Sequence, residues 1–140
     1  MSLPVALVAG RGYVVPAGYI GSRLAVVSGI DLTQVGAPGV TAIYTTPAGY
    51  TAIYTAAFME ITASSAPTTP ATGGLGIAAG ESDVFTPVAL TGVLAVADLW
   101  AFLSNGKART GPAGSTISYG NDVAADAALT GRLHLFGFLF

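Results

Sequence analysis

The 140-residue chain predicts an all-β fold, an antiparallel β-sandwich or jelly roll with an extended N-terminal arm. Helical periodicity is nearly absent, and short apolar or alternating runs recur between Gly, Pro, Asn and Asp residues. The chain also combines 52% hydrophobic residues with 19 glycines and 8 prolines, which suits many short strands joined by tight turns. A strand–turn–strand unit repeats as well: Tyr13-Val14-Val15-Pro16-Ala17-Gly18-Tyr19 returns as Tyr44-Thr45-Thr46-Pro47-Ala48-Gly49-Tyr50, and Pro112-Ala113-Gly114 is a third Pro-Ala-Gly.

Residues 1–39 read as an arm with the first strand or strands, and residues 40–140 as the sandwich. Ile20–Val27 and Val40–Thr45 are β-branched enough for strands. Tyr50–Thr62 is the clearest strand. Period-two alternation puts Tyr50, Tyr54, Phe58 and Glu60 on one face, and Thr51, Ile53, Thr55, Met59 and Ile61 on the other. Ser64–Gly74 is a loop, because its prolines oppose both regular structures and nothing in it buries a face. Gly74–Ala78, Val84–Val96, Leu99–Leu103, Thr116–Tyr119 and Arg132–Phe140 complete about eight strands, as a sandwich requires. The alanine-rich Val93–Leu103 has a short helix as its alternative. In each Pro-Ala-Gly unit, Pro fixes φ and Gly supplies the positive φ that reverses the chain, so Gly18, Gly49 and Gly114 are the turn glycines.

Charge excludes several functions. Asp, Glu, Lys and Arg make up 9% of residues, against about 25% in an ordinary soluble domain. Five Lys+Arg under a net charge of −2 cannot form the basic stripe that nucleic acid needs, and the absence of cysteine removes disulfides and zinc thiolates. The longest stretch free of charged residues, Leu32–Met59, is broken by Pro38, Gly39, Pro47 and Gly49, so no membrane-spanning helix is expected there. The first residues lack a basic region, so a cytoplasmically made protein is expected. A mean hydropathy of +0.67 with so little charge points to burial of surface in an assembly.

Catalytic and binding chemistry is sparse. His134 is the only histidine, and it shares a strand face with Arg132 and Phe136. A general base there needs an orienting carboxylate, so a packed or interface histidine is the reading taken. Glu81 with Asp83, and Asn121-Asp122 with Asp126, could each contribute oxygens to calcium, but they read as turn residues capping local backbone. Gly73-Gly74-Leu75-Gly76 lacks the Lys-Ser/Thr of a phosphate loop and reads as a flexible turn. Tyr13, Tyr19, Tyr44, Tyr50 and Tyr54 could stack on sugars, yet tyrosine is ordinary in half-exposed strands and interfaces. No cofactor, metal or catalytic residue is assigned. The closing segment has Phe136, Phe138 and Phe140 on one parity and leucines on the other, so one face should fill the core. The other should meet a neighbouring subunit or the arm; with Tyr13 and Tyr19, the three phenylalanines are the expected interface.

The segment from Ile43 to Thr62, IYTTPAGYTAIYTAAFMEIT, resembles a pattern in small β-sandwich structural proteins of tailed bacteriophages, in which a Pro-Ala-Gly turn joins two strands. Pro112–Tyr119 and Gly131–Leu139 resemble a later turn and a closing strand of the same pattern. The resemblance covers about Val40–Phe140 and implies a virion protein. The expected role is a capsid decoration (cement) protein on the particle surface, contacting the major capsid protein and itself, as a trimer given the three-fold positions of icosahedral shells. The alternative is a head- or tail-fibre knob or tip that binds host surface glycan. Neither role involves nucleic acid or membrane.

Overall fold

The computed structural model describes residues 21–36, 39–78, 81–103 and 109–140. Among the described residues nine strands follow in chain order: β1 (Ser22–Asp31), β2 (Val40–Thr45), β3 (Ala52–Ser64), β4 (Thr72–Gly76), β5 (Phe85–Ala89), β6 (Leu99–Leu103), β7 (Arg109–Gly111), β8 (Thr116–Val123) and β9 (Leu129–Leu139). One sheet has the order β1-β9-β3-β6, with β7 also on β3, and the other has β2-β8-β4-β5. Every pairing is antiparallel. The pairs β4–β5, β3–β6, β2–β8 and β1–β9 are nested, so the chain is one long hairpin rolled until alternate pairs fall in alternate sheets. That is the jelly-roll form of a sandwich. Among the described residues no helix is long and apolar enough to cross a membrane.

The core lies between the sheets. Tyr54, Met59, Ile61, Leu133 and Leu135 of the five-stranded sheet face Ile43, Leu75, Phe85, Ile117 and Tyr119 of the four-stranded one, all buried. Phe102 joins the two layers, with ring centroids 6.4 Å from both Phe85 and Tyr119. Two tyrosine hydroxyls enter this apolar layer and each finds a partner. The Tyr119 hydroxyl donates to Asn121 Oδ1 at 2.7 Å, and Asn121 Nδ2 donates to the carbonyls of Asp31 at 3.2 Å and Gln34 at 3.0 Å. Tyr54 meets the Thr46 hydroxyl at 3.3 Å. Burial raises the pKa of both phenols, because a phenolate in this layer would lose its hydration. The Asn121 bracket also ties the end of β1 and the turn after it to β8.

Several expectations are corrected. β1, a first strand expected within residues 1–39, runs on to Asp31 and, among the described residues, is the edge strand of the five-stranded sheet, paired from Ser22↔Gly137 to Asp31↔Thr130. Residues 1–20 lie outside the described part. The strand expected over Val84–Val96 ends at Ala89, and Val93–Leu103 contains no helix. Instead, the Asp98 carboxylate accepts from the amides of Leu94 and Ala95 at 3.0 and 2.8 Å, and Ala97 takes a positive φ of 75°, which closes a turn into β6. β7 has too few residues for a pattern to mark it. Gly73-Gly74-Leu75-Gly76 belongs to β4 and is buried, not a flexible turn. A Cβ at Gly73 would stand 2.1 Å from the Tyr119 hydroxyl, and one at Gly74 would stand 2.5 Å from the Phe85 carbonyl oxygen. These glycines are close-approach residues.

The face assignment of β3 is corrected too. A bulge between Tyr54 and Ala56 inserts an extra residue against β9, and this reverses the alternation partway along the strand. Tyr54 therefore points into the core with Met59 and Ile61, while half-buried Ile53, Phe58 and Glu60 share the outer face. In β9 the expected division holds. Leu133 and Leu135 are buried, and His134, Phe136 and Phe138 are half-buried on the opposite side.

Two of the three Pro-Ala-Gly units lie side by side at one end of the sandwich. The Thr46 amide donates to the Ser115 carbonyl and the Gly114 amide to the Thr46 carbonyl, each at 2.9 Å. Gly49 and Gly114 both have φ of +82°, as the turn argument requires. Gly18, Tyr13 and Tyr19 lie outside the described residues.

Candidate functional site

The outer face of the five-stranded sheet carries several half-exposed large apolar groups beside a small ionic cluster. Register places its members. β9 supplies Arg132, His134, Phe136 and Phe138, and Phe140 continues the row, exchanging both backbone hydrogen bonds with Thr51 at 2.8 and 3.0 Å. Beside them on β3 stand Ile53 opposite Phe138, Phe58 opposite His134, and Glu60 opposite Arg132. β6 adds Leu99 opposite Glu60 and Ala101 opposite Phe58, while β1 adds Val26 opposite His134 and Arg23 opposite Phe136. Leu99 is 56% exposed, Phe140 46% and Val26 40%. Phe58 and Phe136 meet edge to face, with centroids 5.5 Å apart and planes at 83°.

The face is graded along the strands. Its Phe140 end is apolar and its Arg132 end is ionic. Glu60 Oε1 lies 3.0 Å from His134 Nε2 and 3.5 Å from Arg132 Nη1, and Arg132 Nε donates to Ser28 Oγ at 3.1 Å. The hydrogen bond from His134 holds the Glu60 carboxyl below the usual carboxylate range, with Arg132 acting in the same direction and desolvation against both. The cluster is thus a carboxylate shared by a histidine and an arginine on the neighbouring strand, and the Ser28 hydroxyl is engaged by Arg132. Such an arrangement stabilises a local geometry and presents paired opposite charges to whatever covers the face.

Sequence reasoning placed His134, Arg132, Phe136, Phe138 and Phe140 on one face, and the structure brings those five together. It missed Glu60, Phe58 and Ile53 as their neighbours, because strand pairing is not written in a single segment. One signal existed: Glu60 is the carboxylate embedded in the strongest strand pattern, where an unpaired charge would be costly.

Asp126, Asp83 and Asp31 hold turns. Asp126 accepts from the amides of Thr68 at 2.8 Å and Thr69 at 3.0 Å, and from the Thr68 hydroxyl at 2.6 Å; these bonds lower its pKa to about 2. Asp83 accepts from the Ile77 amide at 2.7 Å, and Asp31 from the Thr33 amide at 2.9 Å. Among the described residues no group of three or more His, Asp or Glu side chains is placed to hold a metal ion. In the two clusters weighed for calcium, Asp83 accepts from the backbone amides of Ile77 and Ala78, and Asp126 from those of Thr68 and Thr69. Comparison of the chain with protein-family models, with curated proteins and with solved structures finds no match.

Proposed function

We propose that the protein is a structural component of a tailed-phage particle, a capsid decoration protein that binds the assembled head from outside and reinforces it without catalysis. The observation that carries this reading is the outer face of the five-stranded sheet. Phe58, Phe136, Phe138 and Leu99 share it with an ion cluster at one end, and an apolar patch poor in Lys and Asp is the composition of a protein interface. The resemblance of Ile43–Thr62 to phage structural proteins supplies the particle. The jelly roll is compatible with it, since capsid and lectin domains both use that architecture, but a fold alone assigns no role. Decoration works by repetition: modest binding at each site, multiplied over a symmetric shell, stabilises the assembled state by mass action.

The test uses particles lacking this protein. Their heads should rupture at lower temperature than complete ones, and adding back the purified chain should restore them. Phe138→Asp should impair that rescue more than it disturbs the thermal melt of the isolated protein, because Phe138 lies on the outer side of β9. Heads of unchanged strength, together with lost adsorption to host cells, would overturn the proposal in favour of a fibre tip binding glycan.

A further inference from the structure

We infer that the partner of this outer face is a second copy of the same chain, stacked sheet on sheet about a two-fold axis that runs along the strands between β9 and β3. The inference deepens the proposed function and rests on its reading that the face meets protein.

Charge complementarity selects the arrangement. A face that contacts itself closes as an isologous pair, each group meeting the groups that its own neighbours supply. With the axis parallel to the strands and between β9 and β3, the β9 row of one copy lies over the β3 row of the other at the same height. The register pairs Glu60 with Arg132, Phe58 with His134, and Ile53 with Phe138. The same pairs then form between copies, so Arg132 of one copy stands over Glu60 of the other, His134 over Phe58, and Phe138 over Ile53. An axis across the strands would instead lay the ionic end on the Phe140 end and desolvate charge against apolar groups. The cluster is self-complementary in one orientation only.

Size is the second argument. From Arg132 to Phe140 the outer row runs about 27 Å at about 3.4 Å per residue, and four strands about 4.8 Å apart span about 19 Å. That is a flat area of about 500 Å² before side-chain relief, which approaches the about 800 Å² per partner of a standard interface. Aligned stacking of two twisted sheets is also an ordinary packing mode, at about 10 Å separation. The pair, rather than the trimer expected from the phage resemblance, is then the assembly unit.

The experiment is sedimentation velocity on the full chain over a range of concentrations, with circular dichroism melts as the folding control. Wild type should sediment as a dimer. Glu60→Arg and Arg132→Glu should each weaken the dimer by on the order of a hundredfold, because each sets like charges face to face. An equimolar mixture of the two variants should recover a dimer holding one copy of each, since the two arginines of one copy then face the two glutamates of the other. That recovery also shows that both variants are folded. A dimer that survives both substitutions with no preference for the mixed pair would overturn the inference. So would wild type that stays monomeric at every concentration; if Phe138→Asp still blocks rescue of heads in that case, the face belongs to another protein of the particle, and the proposed function stands without the pair.

Discussion

At the scale of single residues, glycine separates two kinds of necessity. Gly49 is required by conformation alone: its φ is +82°, and a Cβ added there meets nothing within 4 Å. Gly49→Ala should therefore cost about 1 kcal/mol through backbone strain, read as a shift in the urea midpoint at constant slope. Gly73 is required by space, since its Cβ would collide with the buried Tyr119 hydroxyl. Gly73→Ala should cost more, about 2–4 kcal/mol, by overpacking and by breaking the bond from Tyr119 to Asn121. The first glycine is legible in the sequence because Pro-Ala-Gly is a local motif. The second is not, because its partner arrives from β8. Asp126 shows the same division among acids. Its folded pKa of about 2 lies below the about 3.9 of an unfolded aspartate, so its contribution to stability is present above about pH 4 and is lost as pH falls toward about 2. Asp126→Asn should flatten the acid limb of a stability-against-pH curve in that window. An unchanged limb would mean that the bonds to Thr68 and Thr69 do not hold in solution.

At the scale of elements, existence is easier to read than phase. β2 and β6 fall where hydrophobic pattern and turn residues put them, Val40–Thr45 and Leu99–Leu103. The faces of β3 do not, since the Tyr54–Ala56 bulge is a property of the pairing with β9 and leaves no local mark. Without the bulge, Tyr54 and Phe58 would share a face. With it, Tyr54 seals the core and Phe58 joins the outer surface, so the composition of the candidate site depends on one extra residue. Deleting Thr55 should consequently be tolerated, because alternation then runs unbroken from Ala52 in the core through Ile53 and Tyr54 to Ala57, Phe58 and Met59. Deleting Phe136 should not be, since β9 carries no slack against β3 beyond this point and Phe138 would exchange places with the buried row. Thermal melts decide this: a cooperative transition within several degrees of wild type for the first, and none for the second.

At the scale of the whole molecule, the nested pairing makes the outermost strands the last lock on the roll. β1 covers the edge of β9 along nearly its full length, and the turn after it is held through the Asn121 bracket to Asp31 and Gln34. Leu32 completes the tie, donating its amide to the Leu129 carbonyl and accepting from Ala125, both at 2.9 Å. Residues 1–39 read as an arm with the first strand or strands, yet Ile30 and Leu32 are fully buried core residues. The burial of that strand is a tertiary fact, set by its pairing with β9. The two truncations should differ sharply for this reason. Removing residues 1–20 leaves the nine described strands in place and should leave the melting transition cooperative. Removing residues 1–39 strips β1, uncovers the flank of Leu133 and Leu135, and leaves the buried Asn121 amide without its two carbonyl acceptors. Each lost acceptor costs about 1–3 kcal/mol, and two buried aliphatic side chains add about 1.5–3 kcal/mol apiece. The sum matches the entire stability of a typical domain, about 5–15 kcal/mol. The shorter chain should accordingly show no cooperative transition and should bind a hydrophobic dye at room temperature. A cooperative melt from residues 40–140 would show that β1 is an appendage and return the sandwich to the smaller boundary.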